Sequence, residues 1–148
     1  MRPVRSGFMT IILAGSIFVA ARDSHAALTL LGQYGSALGT PVGCGFDRWT
    51  DSVWVYGDFG ATITRFSRAG IPLGTIARPG ASANDVDVTF TAEAMTLGTT
   101  QIPAKTLLFV DGESGVAEIY AADKLTGAVL ATLITGFAAS HVVGGAYH

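Results

Sequence analysis

The sequence predicts an all-β protein assembled from repeated units of four antiparallel strands. Three observations predict it. Beyond residue 26 the chain shows no long amphipathic helical pattern. It offers short runs of β-branched, aromatic and aliphatic residues, broken at close intervals by Gly, Pro, Asp and Asn. A block at residues 53–76 recurs at 107–133, offset by 54 residues at the start and by 57 after an expansion around Asp123-Lys124-Leu125. A short segment with an aromatic near its end occurs three times, as VGCGFD at 42–47, VDVTFT at 86–91 and VGGAYH at 143–148.

The first element is a secretory signal peptide over residues 1–26. Arg2 and Arg5 form a positive start, residues 8–21 an uncharged apolar stretch, and Ser24-His25-Ala26 a small-residue cleavage site, with a cut after Ala21 as the alternative. About 14 apolar residues are too few for a spanning helix, which needs about 20. The expected location is therefore secreted or periplasmic, with the cell surface as a further option. The 148-residue chain has nine Lys+Arg and eleven Asp+Glu; removing Arg2, Arg5, Arg22 and Asp23 leaves six against ten. That acidic balance, with the basic residues scattered along the chain, excludes a nucleic-acid-binding surface. Cys44 is the only cysteine, so no intrachain disulfide exists, and its neighbours Gly43, Gly45 and Phe46 suggest a small buried hydrophobe.

Each unit begins with an entry strand, the thrice-repeated segment. The second strand, VWVY at 53–56 and LLFV at 107–110, is apolar at every position, as expected for a strand covered on both faces. The third, at 61–66 and 116–120, mixes apolar and polar residues. The fourth follows a polar turn closing on Gly70 or Gly127. Residues 92–105 are an insertion between the first two strands of the second unit. Residues 127–147 carry no charge, but their Gly, Thr, Ser and His content favours two strands around a turn over a membrane helix.

Four strands per unit at this spacing is the blade of a β-propeller. The expected organisation is a partial propeller over 27–148, with blades at about 42–80 and 83–137 and a third begun at 140–148. Two complete repeats are fewer than stacking requires, so a fragment, a truncated product without function, or a ring completed by an oligomer or by missing blades is expected. Residues 53–76, read V-W-V-Y-G-D, I-T-R-F and G-I-P-L, resemble one NHL-type or YVTN-type propeller repeat, and the chain looks like the exported bacterial proteins built from such blades. The resemblance covers most of 42–148. It implies a fold and not a reaction.

In this order of strands, the turn between the second and third strands shares an end with the connection to the next blade. That end would gather Asp58, Asn84, Asp85, Asp111, Glu113 and His141 as a ligand face. Carboxylates there could hold calcium, with His141 as an acid–base group, although Asp, Asn, Gly and Ser are also ordinary turn residues. Calcium apart, no cofactor is expected. Trp54 and Tyr56 are expected in the core. Trp49, in a turn at the opposite end, is expected to be exposed and is the candidate partner contact. No nucleophile elbow, zinc motif or phosphate loop is present. The expected function is a non-enzymatic binding or scaffold module for a protein, glycan or small molecule. The alternative is part of a lactonase-like or phytase-like propeller hydrolase or lyase.

Overall fold

A computed structural model describes residues 33, 35, 36, 38–81, 83, 85–113, 115–138 and 144. The chain divides between residues 31 and 32, and the fold below is that of the second unit. The expected signal peptide lies outside the described residues, and so does the third entry strand apart from Gly144.

The described residues are all-β and form two four-stranded antiparallel sheets. Sheet 1 is a meander of β1 (Pro41–Asp47), β2 (Ser52–Gly57), β3 (Thr62–Ser67) and β4 (Pro72–Ala77), in that order across the sheet. Sheet 2 has the order β5 (Val86–Phe90), β8 (Leu107–Asp111), β9 (Val116–Ala122), β10 (Val129–Ala138). Between β5 and β8 the insertion folds into a separate hairpin, β6 (Met95–Leu97) and β7 (Thr100–Ile102), which the sequence reading left without strands. The uncharged stretch after Gly127 begins with β10, a strand. No helix among the described residues is long and apolar enough to cross a membrane.

Register shows how far the two sheets are equivalent. Phe46 pairs with Val53 in sheet 1 and Phe90 with Leu107 in sheet 2, so the 54-residue offset holds across the second strands. Tyr56 pairs with Ile63, whereas Val110 pairs with Ile119, which raises the offset to 56 at the third strands. Ile63 pairs with Ile76 and Ile119 with Leu133, giving 57. Two of the three extra residues thus fall before the third strand. The repeat compared by sequence alone had assigned all three to the turn at 123–125.

Cross-strand partners share a face. The face of sheet 1 carrying Trp54, Tyr56, Ile63 and Ile76 packs on the face of sheet 2 carrying Val86, Val88, Phe90, Leu107 and Phe109. Tyr56 meets Phe109 edge-on at 5.2 Å between ring centroids, and Trp54 lies 6.0 Å from Phe90. The first strands of the two sheets come closest. A Cβ on Gly43 would stand 2.7 Å from the Val86 carbonyl oxygen, and one on Gly45 only 2.3 Å from that of Val88. Glycine is required there because backbone meets backbone.

The same alternation corrects the expectation for Cys44. Gly43 and Gly45 take the side toward sheet 2, so Cys44 points to the other face and is exposed. Phe46, on that outer face, is 46% exposed, while its counterpart Phe90 is 6% exposed beneath sheet 1. On sheet 2 the face equivalent to the buried face of sheet 1 carries Leu108, Ile119, Ala121 and Leu133, and the β6–β7 hairpin covers it with Met95, Leu97 and Ile102. The insertion therefore caps one end of the stack.

Candidate functional site at the loop end

The strand order brings the expected loops to one end. The β2–β3 turn touches the β4–β5 connection, where the Phe59 N–H donates to the Ala83 carbonyl at 3.2 Å. The β8–β9 turn touches the same connection through the Gly112 N–H and the Asp85 carbonyl at 2.8 Å. Tyr56, from the core, donates its hydroxyl to the Gly60 carbonyl at 3.0 Å and fixes the turn.

The individual candidates differ in access. Asp58 is exposed, and its N–H donates to the Thr40 carbonyl at 2.7 Å. Asp85 and Glu113 are half-buried. Asp111 is 3% exposed and lies at the end of β8, on the face toward sheet 1. Asn84 and His141 lie outside the described residues. Among the described residues no three His, Cys, Asp or Glu side chains are grouped to hold a metal ion.

Around Asp111 the structure assembles partners that the sequence reading missed. Asp111 pairs across the hairpin with Glu118, and Tyr120 stands two residues further along the same face of β9. The Tyr120 hydroxyl donates to Glu118 Oε2. Arg78 enters from the β4–β5 connection, its N–H donating to the Ala61 carbonyl at 3.1 Å and its guanidinium to the Gly80 carbonyl. Its Nε is buried and makes no hydrogen bond. Gly80 has φ +71°, and a Cβ there would stand 2.5 Å from the Tyr120 ring, so glycine is needed on both counts.

Burial pushes the Asp111 carboxyl above the usual carboxylate range. The Glu113 N–H, donating at 3.1 Å, pulls it back, as does Arg78, but the charges of Glu118 and Glu113 add to the rise. Burial also raises the Tyr120 phenol, and its hydrogen bond to Glu118 raises it further, so it stays a donor at neutral pH. The result is an acidic, acceptor-rich end suited to holding a cationic or hydrogen-bond-donating group. The signal for Glu118 and Tyr120 lay in strand periodicity: residues two apart share a face, and a short turn places that face beside Asp111. Arg78 gave no such signal, because it belongs to no strand.

The opposite end holds the sheets together. Asp47, fully buried, accepts from the Trp49 N–H at 3.0 Å, the Thr50 hydroxyl at 2.7 Å and the Lys124 ammonium at 2.7 Å. Lys124 belongs to the β9–β10 turn, so this ion pair joins sheet 2 to sheet 1. Burial alone would raise the Asp47 carboxyl, but these donors outweigh it and hold it below the usual range. Trp49 is half-buried and packs against the inter-sheet core, which corrects the expectation that it is exposed. The cause is the Asp47 carboxylate, which bonds its N–H and folds the turn inward.

Comparison of the chain with protein-family models, with curated proteins and with solved structures finds no match.

Proposed function

We propose that the chain is an exported, non-enzymatic binding or scaffold module of β-propeller type, with its ligand face at the loop end. One observation carries the reading: two sheets of the same strand order and equivalent register pack face to face, with their first strands side by side. That is how neighbouring blades pack, and it leaves the connecting loops free to carry function. The amino-terminal pattern supports export. The outer face of sheet 1, with Cys44 and Phe46, is where a further blade or another subunit would continue the ring. The partner is a protein, glycan or small molecule presenting positive charge or hydrogen-bond donors to Asp58, Asp85 and Glu113.

A second reading, a propeller hydrolase or lyase, is favoured by the raised Asp111 carboxyl beside Glu118 and Tyr120, a pattern typical of reacting groups. Against it, Asp111 is covered and has no grouped metal ligands among the described residues. Thermal unfolding with a panel of amines, glycans, basic peptides and calcium separates the two. The binding reading expects a ligand-dependent rise in Tm that Asp58→Asn or Glu113→Gln reduces, with no turnover of lactones or phosphate esters. Turnover abolished by Asp111→Asn would establish the enzyme instead.

A further inference from the structure

The two sheets diverge toward their outer strands. Across sheet 2, Val86, Asp111, Glu118 and Ile134 form one row of cross-strand partners on the face turned to sheet 1. Exposure grows along that row: Val86 and Asp111 are buried, Glu118 is half-buried and Ile134 is 61% exposed. The next row, Val88, Phe109, Tyr120 and Thr132, repeats the trend from buried to exposed. The β4–β5 connection reaches as far as Tyr120, whose ring lies against Gly80. Val116, two residues before Glu118 and on the same face, is exposed as well.

The strand that closes these rows offers an open edge. β10 has β9 as its one neighbour among the described residues, runs for 10 residues and carries neither charge nor proline. Edge strands are commonly guarded by lysine, proline or bulges against pairing with another chain. The corresponding edge strand of sheet 1, β4, begins at Pro72 and has Gly127 of the β9–β10 turn seated against Ala77. β10 is guarded by bulges alone, one between Val129 and Ala131 and one between Ile134 and Ala138. Between them, Ala131 to Ile134 keep regular register.

The second bulge is built to present a side chain. The Thr135 hydroxyl donates to the Ala117 carbonyl at 2.8 Å and accepts from the Phe137 N–H at 3.2 Å, and Gly136 takes φ +75°. Phe137 is left 68% exposed, next to Ala138, which pairs with Val116. Exposed apolar groups gathered beside polar ones are typical of a contact surface. The polar group here is Glu118, directly across from Ile134 and accepting from Tyr120 at one carboxylate oxygen. Around Asp111, the carboxylates of Glu113 and Glu118 face one guanidinium, that of Arg78, so this corner is net negative.

We propose that β10 receives an extended segment of a partner protein as a fifth strand of sheet 2, and that this segment alternates basic with apolar residues. The open edge supplies main-chain hydrogen bonds, and the two faces of the sheet supply specificity. Strands lie about 4.8 Å apart, which puts Glu118, on β9, about 10 Å from the added strand. A Lys or Arg spans that distance with its stem over Ile134 and its head on the carboxylate. The alternate residues of the segment fall on the other face, beside Leu133, which is half-buried against the β6–β7 hairpin cluster. A glycan or a simple amine has no backbone to pair with a strand edge, so the partner is a polypeptide. Naming it so rests on the proposed binding function and narrows it, with Glu118 and β10 as the point of attachment.

The test titrates the full chain against fluorescein-labelled heptapeptides, reading anisotropy, and follows amide hydrogen exchange in the complex. A peptide alternating lysine and valine should bind saturably and slow exchange from Ala131 to Ile134. The same peptide with every amide N-methylated should not bind, nor should its glutamate–valine counterpart. Ile134→Lys, a change at an exposed position, should weaken binding at least about fivefold, as loss of an apolar anchor does. Glu118→Gln should weaken it about two- to fivefold, the worth of a partly exposed ion pair, while Arg48→Gln at the opposite end should leave it unchanged. Absence of binding, binding that survives N-methylation, equal binding of the glutamate peptide, or indifference to Ile134→Lys would overturn the proposal. Self-association of the chain alone, seen by light scattering and abolished by Ile134→Lys, would also overturn it, because the edge would then belong to a second copy. Binding of the lysine peptide that responds to Asp58→Asn but not to Ile134→Lys would overturn this attachment and leave the loop-end ligand face standing.

Discussion

Gly45→Ala tests the packing of the two sheets with a single carbon. The added Cβ would stand 2.3 Å from the Val88 carbonyl oxygen and 2.8 Å from its carbonyl carbon. Contact without overlap needs about 3.4 Å, so β1 and β5 must separate by about 1 Å. No flexible side chain can absorb this, because the obstacle is backbone. Overpacking a tight contact costs about 1–3 kcal/mol, and a backbone obstacle belongs at the upper end. Against this, replacing Gly in a strand reduces unfolded-state entropy by about 0.5–1 kcal/mol. The expected net loss is about 2 kcal/mol, or a Tm lower by roughly 8–16 °C in a folded region of about 100 residues. Gly43→Ala, at 2.7 Å, should show a smaller loss of the same kind, and Gly39→Ala, with nothing within 4 Å, essentially none. Urea and thermal unfolding followed by circular dichroism and by tryptophan fluorescence would measure the series. A Gly45→Ala protein as stable as the Gly39→Ala control would refute the close approach of β1 and β5.

Lys124→Met should cost about 3 kcal/mol in urea unfolding at pH 7, because it leaves the buried Asp47 charge without its cation; adding Asp47→Asn should recover part of the loss, as coupled partners do. The lowered Asp47 carboxyl contributes stability above its unfolded value of about 3.9, lost as pH falls through its folded value; acid unfolding should therefore be less steep in Asp47→Asn. Asp111 has the opposite sign, since a raised carboxyl favours the fold below its unfolded value and opposes it as pH rises through the folded one. Asp111→Asn should match or exceed the wild-type Tm at pH 7, and that margin should shrink on acidification toward pH 4. Ile102→Ala, which removes a buried side chain from the hairpin over sheet 2, should cost about 2–4 kcal/mol in the same unfolding assay.

Much of the fold was legible because strand period and repeat carry it. Val53 to Tyr56 and Leu107 to Val110 are apolar throughout, and both became central strands, each with a neighbour on either side. The β6–β7 hairpin was not legible, because three-residue strands are too short to show a period. Cys44 and Trp49 were misread for a shared reason. Composition says how apolar a residue is, whereas its face depends on which neighbours the other sheet demands: Gly43 and Gly45 for Cys44, and the Asp47 carboxylate for Trp49. At the loop end the turns could be placed from strand order, so Asp58, Asp85, Asp111 and Glu113 could be assigned to that end. Glu118 and Tyr120 lie beside Asp111 through the β8–β9 pairing, whereas Arg78 joins them only through packing between sheets, as Lys124 joins Trp49.

The most direct test of the account is a set of proton–proton distances across the sheets, from nuclear Overhauser spectra of the isotope-labelled protein. Face-to-face packing predicts strong cross-peaks from the Gly43 and Gly45 Hα protons to Val86 and Val88, and between the Tyr56 and Phe109 rings. Spectra with every strand pairing within each sheet in place, but with those cross-peaks missing, would contradict it.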